Sequence, residues 1–149
     1  MVDVAVLKEL RDRTDAPINR CKEALEKAEG DIQKAIILLS EEGVKVAAKK
    51  STRETGTGIV EAYIHGAGRI GVLLEIRSET DFVARNPAFK QVAHDIAMHI
   101  AAANPATTEE MNEQPFVKDE SKTVGDVIKE TIARFGENIQ VTRFTRFDA

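Results

Sequence analysis

The sequence is poor in cysteine, because Cys21 is the single one among 149 residues. One thiol cannot form a disulfide within the chain, and this usage fits a reducing compartment. No apolar run approaches the roughly 18 residues that a membrane-spanning helix needs. The first residues carry a charge every few positions, which is not the apolar core of a signal peptide. We therefore expect a cytoplasmic protein, or one of an organelle stroma or matrix after processing, without a membrane partner.

The chain also has no excess of basic charge and few aromatic residues. The formal net charge is −4, and aromatic residues make up 5% of the chain. Proteins that hold nucleic acid through bulk charge carry an excess of Lys and Arg, so we expect no direct nucleic-acid partner. What is present is a hydrophobic fraction of 42%, which is enough for a folded core. The length allows one ordinary domain, or a core domain with a small satellite.

The first forty residues predict three short amphipathic helices, because their apolar residues recur at intervals of three and four. The first helix is expected to end near Thr14, and Asp15 is expected to cap the second. Gly30 ends the second helix, Asp31 caps the third, and Gly43 ends the run. Three helices of this size bury little surface, so we expect them to use a neighbouring part of the chain for support.

A change in composition predicts three regions. Residues 1–42 form the three-helix domain, residues 43–57 a basic connector, and residues 58–149 an α+β core. The cationic run Lys45–Arg53 could contact RNA or acidic protein, although such a run is more often a solvated helical face. No aromatic side chain is interleaved with it for base stacking, which weakens the RNA interpretation.

The core region predicts the order β-β-α-α-β. Two alternating apolar segments flank a glycine-rich turn, and a β-branched, aromatic segment closes the chain. The predicted elements are strands around Val60–Ile64 and Ile70–Ile76, helices from Pro87 to Asn104 and from Thr123 to Gly136, and a strand over Ile139–Phe147. This order predicts an α+β fold with a three-stranded antiparallel sheet and helices packed on one face.

No pattern in the chain predicts catalysis, a metal or a cofactor. Residues 66–71 spell G-x-G-x-x-G, but a dinucleotide site needs a helix to begin there, and a strand pattern follows instead. His94 and His99 are five positions apart on a predicted helix, about 140° around its axis, and so do not share a face. Cys21 lies on an apolar helix face and is expected to be a buried thiol. We expect a protein that is not an enzyme.

Two features leave alternatives open. His65 lies beside the glycine-rich turn, where it could contact a partner or be an ordinary surface histidine. Thr80-Asp81-Phe82-Val83 follows a strand and precedes a helix. Its apolar residues could cover the core, or an exposed Phe82 could anchor a protein partner.

Several motifs in order resemble the bacterial elongation factor Ts family. They are YIHGAGRIGVLLE (63–75), SETDFVARN (78–86), AMHIAAANP (97–105), EQPFVKD (113–119) and GENIQVTRFTRF (136–147). The N-terminal segment is similar to that family's ubiquitin-associated-like three-helix domain. The chain departs from the family's usual T-G-A-G/P-M-M at Thr14–Asn19. It also passes from Pro105 to Gln114 without the long helical insertion of relatives, and so has one core subdomain.

The resemblance implies a guanine nucleotide exchange factor that binds elongation factor Tu in GDP-bound and nucleotide-free forms. It implies that the Asp81-Phe82 loop disturbs the magnesium and switch region of the GTPase. The residues that it implies as GTPase contacts are Thr80, Asp81, Phe82, Val83, Ile18, Asn19, Lys22 and His65.

A single core subdomain, as in the short members of the family, further implies a homodimer. Some relatives have a cysteine where this chain has Thr145, which excludes an intersubunit disulfide at that position. The alternatives to an exchange factor are a non-catalytic helical adaptor and an RNA-binding translation accessory that uses Lys45–Arg53.

Overall fold

The structure, a computed structural model that describes residues 1–149, contains seven helices and two antiparallel sheets. The elements are α1 (Val4–Thr14), α2 (Ile18–Lys27), α3 (Ile32–Lys50), β1 (Thr57–His65), β2 (Ile70–Ser78), α4 (Asp81–Ala84), α5 (Pro87–Ala103), α6 (Thr108–Glu113), β3 (Pro115–Phe116), β4 (Asp119–Thr123), α7 (Val124–Phe135) and β5 (Gln140–Asp148). The α+β class is confirmed. None of the helices has the length and apolar character needed to cross a membrane.

The larger sheet has the strand order β1-β2-β5, with both pairs antiparallel. Strands β1 and β2 form the predicted hairpin, and Gly66, Ala67 and Gly68 at its turn all have positive φ angles. Such angles suit glycine, which explains why two of the three turn residues are glycines. The G-x-G-x-x-G letters are therefore a hairpin turn, because β2 begins at Ile70 where a dinucleotide site would need a helix.

Helices cover one face of this sheet, as predicted. Leu74 and Ile76 of β2 are fully buried against Phe89, Ile96 and other apolar residues of α5. Helix α7 contributes further to the same cluster of 18 buried residues. Burial of this apolar surface is the main stabilising contribution to the fold. The opposite face of the sheet carries no helix of the chain, and its exposed residues are described below.

The N-terminal helices α1–α3 enclose a second cluster of seven buried residues, centred on Leu10, Cys21 and Leu25. Cys21 is buried, as predicted, and desolvation by this burial raises the pKa of its thiol. The three helices also pack on the core, since α3 runs alongside α7 and Arg20 donates a hydrogen bond to the Ala133 carbonyl at 3.3 Å.

Two helix-boundary predictions were wrong. Helix α3 continues through Gly43 to Lys50, because Gly43 packs closely against α7 and Ala47 joins the main core. This tertiary packing outweighs the cost of about 1 kcal/mol for glycine inside a helix. Asp15 does not cap α2. It ends α1 in a left-handed conformation, and Pro17 begins α2 without a side-chain cap.

The polar segment 106–122 between α5 and α7 contains the short helix α6 and a small sheet of β3 and β4. His99 of α5, which is fully buried, holds this sheet in place. Its Nδ1 accepts a hydrogen bond from the Val117 N–H at 3.2 Å, and its Nε2 lies 2.9 Å from the Gln114 side-chain oxygen. The imidazole is therefore neutral, with its proton on Nε2.

We expect the stability of the protein to fall as the pH falls below 6.5, the ordinary pKa of histidine. Desolvation by burial lowers the pKa of His99 in the folded state, so the unfolded chain binds the proton more readily. The stabilisation is complete above 6.5 and is lost as the pH falls toward the folded-state pKa. Urea unfolding of the wild type and of His99→Gln across this range measures it. Equal pH dependence in both proteins would contradict the assignment.

Candidate functional site

Phe82 lies on the shortest helix, α4, where its side chain is 83% exposed. The next residue, Val83, is only 3% exposed and packs in the main core together with Ala84. Each of the two open interpretations of this segment therefore holds for one residue: Val83 covers the core, and Phe82 points away from it. We call residues 80–84, with Phe82 at their apex, the Phe82 tip.

Hydrogen bonds at both ends fix the Phe82 tip. The Thr80 hydroxyl caps α4 by accepting from the Val83 N–H at 3.4 Å, and the Ser78 hydroxyl donates to the Thr80 carbonyl at 2.9 Å. The carboxylate of Glu137, at the start of the segment leading into β5, accepts from the backbone N–H groups of Glu79 and Thr80. Sequence reasoning missed Glu137, and its place directly after the helix-ending Gly136 gave no signal of this contact.

Asp81 presents a carboxylate beside Phe82. It forms an ion pair with Arg85, one turn along, at 2.6 Å, and both side chains are mostly exposed. An exposed pair of this kind contributes at most about 1 kcal/mol. A partner that offers a better cation or a hydrogen-bond donor can therefore take over the Asp81 carboxylate at little cost.

His65 is exposed at the end of β1 and belongs to a small network. The Tyr63 hydroxyl lies 2.9 Å from His65 Nδ1, and the Tyr63 ring meets His94 edge-on at a centroid distance of 5.5 Å. His94 in turn lies 3.6 Å from the Glu61 carboxylate. The Tyr63 hydroxyl thus links His65 to the contacts that Tyr63 and His94 make on the sheet.

The structure does not bring all the predicted partner-contacting residues together. His65 is at the turn end of the hairpin, whereas the Phe82 tip follows the opposite end of β2, about 27 Å away along the strand. Ile18, Asn19 and Lys22 are exposed on the first turns of α2, in the N-terminal helices. The candidate contacts therefore form three separate points.

The uncovered face of the larger sheet is apolar toward the hairpin turn and charged toward the other end, where Val60 lies opposite Glu75. Its exposed apolar residues are Val60, Ile64, Leu73 (52% exposed) and Phe147 (71% exposed). At the charged end, the Thr142 hydroxyl, Arg77 and Arg143 lower the pKa of Glu75 to about 2. Monomeric proteins rarely expose contiguous apolar patches of this kind, so this surface is a candidate interface.

A sequence model of the family described as "Elongation factor TS" matches residues 79–149, which include the Phe82 tip. The whole chain is similar to proteins named elongation factor Ts. It is 40% identical to that of Koribacter versatilis (98% of this chain, 87% of the relative) and 42% identical to that of Carboxydothermus hydrogenoformans (99% and 89%). It is 40% identical to that of Thermosipho melanesiensis (99% and 98%). These alignments span 191 to 193 positions, more than the 149 residues of this chain, so the relatives contain residues without a counterpart here.

Proposed function

Because this chain belongs to the elongation factor Ts family, and is therefore a translation elongation factor, we propose that it binds elongation factor Tu and promotes the release of GDP. The observation that supports this proposal best is the Phe82 tip. A large aromatic side chain is held in water on a short, hydrogen-bonded helix. Burial of such a side chain in a partner is typical of an energetic anchor.

The proposed mechanism is thermodynamic linkage. A protein that binds the nucleotide-free GTPase more tightly than the GDP-bound form must weaken GDP binding by the same factor. No covalent step is needed, and the chain acts as an exchange factor and not as an enzyme. The GTPase keeps its own catalytic groups.

Each part of the tip has a distinct proposed role. Phe82 enters an apolar space near the nucleotide, and Asp81 competes for polar groups around the bound magnesium. Thr80 and Val83 support them from within this chain, since Thr80 caps α4 and Val83 is buried under it. The exposed position of Phe82 and the burial of Val83 support this division.

The other two contact points would hold the GTPase while the tip acts. Ile18, Asn19 and Lys22 at the start of α2 would contact the nucleotide-binding domain. His65, at the far end of the hairpin, would contact a second region of the partner. Their separation along the chain and along β2 suits a partner that spans several domains.

We further propose that two copies of the chain associate through the uncovered sheet face. The apolar end of this face would pack against the same face of a second copy, which an isologous two-fold interface allows. A second copy accounts for the four large apolar side chains that the chain leaves exposed there. The nearby charged end would form the polar rim of such an interface.

Release of a fluorescent GDP analogue from elongation factor Tu tests the exchange activity. We expect catalytic amounts of this chain to accelerate release, because one exchange factor can act on many GTPase molecules in turn. A helical adaptor would bind and leave the release rate unchanged. An RNA-binding accessory would leave the rate unchanged and instead retain RNA in a salt-dependent manner.

A further inference from the structure

Glu137 lies 57 positions after Thr80 in the chain but is bound directly to the base of the Phe82 tip. Its Oε1 accepts the N–H groups of Glu79 at 3.1 Å and Thr80 at 2.9 Å. Its Oε2 accepts the Thr80 hydroxyl at 2.7 Å. One carboxylate therefore receives three hydrogen bonds from two consecutive residues.

These bonds replace sheet pairing at the point where it stops. Strand β2 pairs with β1 only as far as Ser78 and with β5 only as far as Arg77. The next two N–H groups would otherwise lack a partner within the chain. An ionised carboxylate gives hydrogen bonds of roughly twice the strength of neutral ones, and two oxygens acting together also define an orientation.

The Thr80 hydroxyl connects Glu137 to the first turn of α4. It donates to Glu137 and accepts from the Val83 N–H, so the carboxylate determines the direction of the helix cap. Val83 and Ala84 are buried below. With the cap and the buried side fixed, the side chain of Phe82 has one direction left, toward solvent.

The base that carries Glu137 is itself held firmly. The adjacent Asn138 is buried, and its side-chain NH₂ donates to the carbonyl of Arg53 at 2.8 Å. Arg53 in turn lies 3.6 Å from the Glu79 carboxylate. Residues 137–138, just before β5, therefore contact both the connector after α3 and the base of the Phe82 tip.

We propose that Glu137 is a positioning residue that pre-orients Phe82 for insertion into the GTPase. The inference rests on the proposed function for its effect on GDP release, while its effect on the tip itself does not depend on that function. A side chain ordered before binding does not have to lose its conformational freedom when the complex forms.

Glu137→Ala tests the proposal with two measurements. Amide hydrogen exchange, followed by NMR in the free protein, should become at least about tenfold faster at Glu79, Thr80 and Val83. GDP release from elongation factor Tu should become about tenfold slower, as expected when charge-assisted hydrogen bonds are lost. Thr80→Val, which removes the hydroxyl that joins Glu137 to the Val83 N–H, should speed amide exchange at Val83 and slow GDP release. Glu113→Ala, which removes an exposed carboxylate from α6, is the control for lost charge.

A Phe82→Ala background separates positioning from direct contact. If Glu137 acts only through Phe82, adding Glu137→Ala there should cause no further loss of exchange activity. A full additional loss would show that Glu137 does not act through Phe82 and would overturn the proposal, as would unchanged amide exchange at the tip. If the wild type fails to release GDP, the proposed function fails, and the amide exchange still decides whether Glu137 orders the tip.

Discussion

Replacing Phe82 with alanine is expected to slow GDP release from elongation factor Tu by at least about 30-fold, which corresponds to about 2 kcal/mol. The reason is that Phe82 is the only large apolar side chain that the tip offers to a partner, since Val83 is buried. Truncation removes the aromatic surface and leaves α4 intact. The measurement is release of a fluorescent GDP analogue at a series of exchange-factor concentrations.

The same substitution should leave the folded chain unaffected. An 83% exposed side chain contributes little to the core, so the melting temperature should stay within about 2 °C of the wild type. Val117→Ala, which truncates another exposed apolar residue on the β3–β4 turn, should not alter GDP release. Equal release rates for wild type and Phe82→Ala, both folded, would remove the tip from the mechanism.

The helices and the hairpin of the core could be predicted because their signals are local. Each of these signals affects only the few residues around it. They are the capping box of Thr123 and Asp126, the Asn86-Pro87 start of α5 and the turn glycines. Such signals need no contact with a distant part of the chain to act. The class of the fold followed from their order.

Two of the differences between sequence and structure have tertiary causes. Gly43 is a plausible helix end when only its neighbours are considered, but α7 packs against it and the helix continues. The two residues of β3 are too few to show alternation, and their position depends on hydrogen bonds to His99. Neither contact is visible in the sequence around the residues concerned.

In the candidate site, too, local features could be predicted from the sequence and features that depend on distant contacts could not. Its aromatic and acidic residues were identified from composition and resemblance, but the residues alone could not decide between an exposed and a buried Phe82. That decision depends on α4, a single helical turn that Glu137 stabilises from 57 positions away. A helix this short is not stable by itself, so no local pattern predicts it.

Leu73→Glu is expected to convert the proposed homodimer into a monomer. Leu73 lies on the central strand, at the middle of the uncovered face, with Ala62 and Thr145 as its cross-strand neighbours. In a two-fold interface the substitution would bury two carboxylates close together without partners, which costs several kcal/mol. Sedimentation or light scattering should show one chain mass for the variant and two for the wild type.

The Leu73→Glu chain is expected to fold normally, because Leu73 is half-exposed in the single chain and Glu there does not disturb the core on the other face of the sheet. Ile37→Glu places the same charge at an exposed apolar residue of α3, away from the sheet, and should leave the mass unchanged. A wild type of one chain mass would exclude the dimer. A dimeric Leu73→Glu protein would place the interface elsewhere. If the dimer forms as proposed, its two Phe82 tips belong to separate chains, and the monomeric variant then shows whether one tip alone can release GDP.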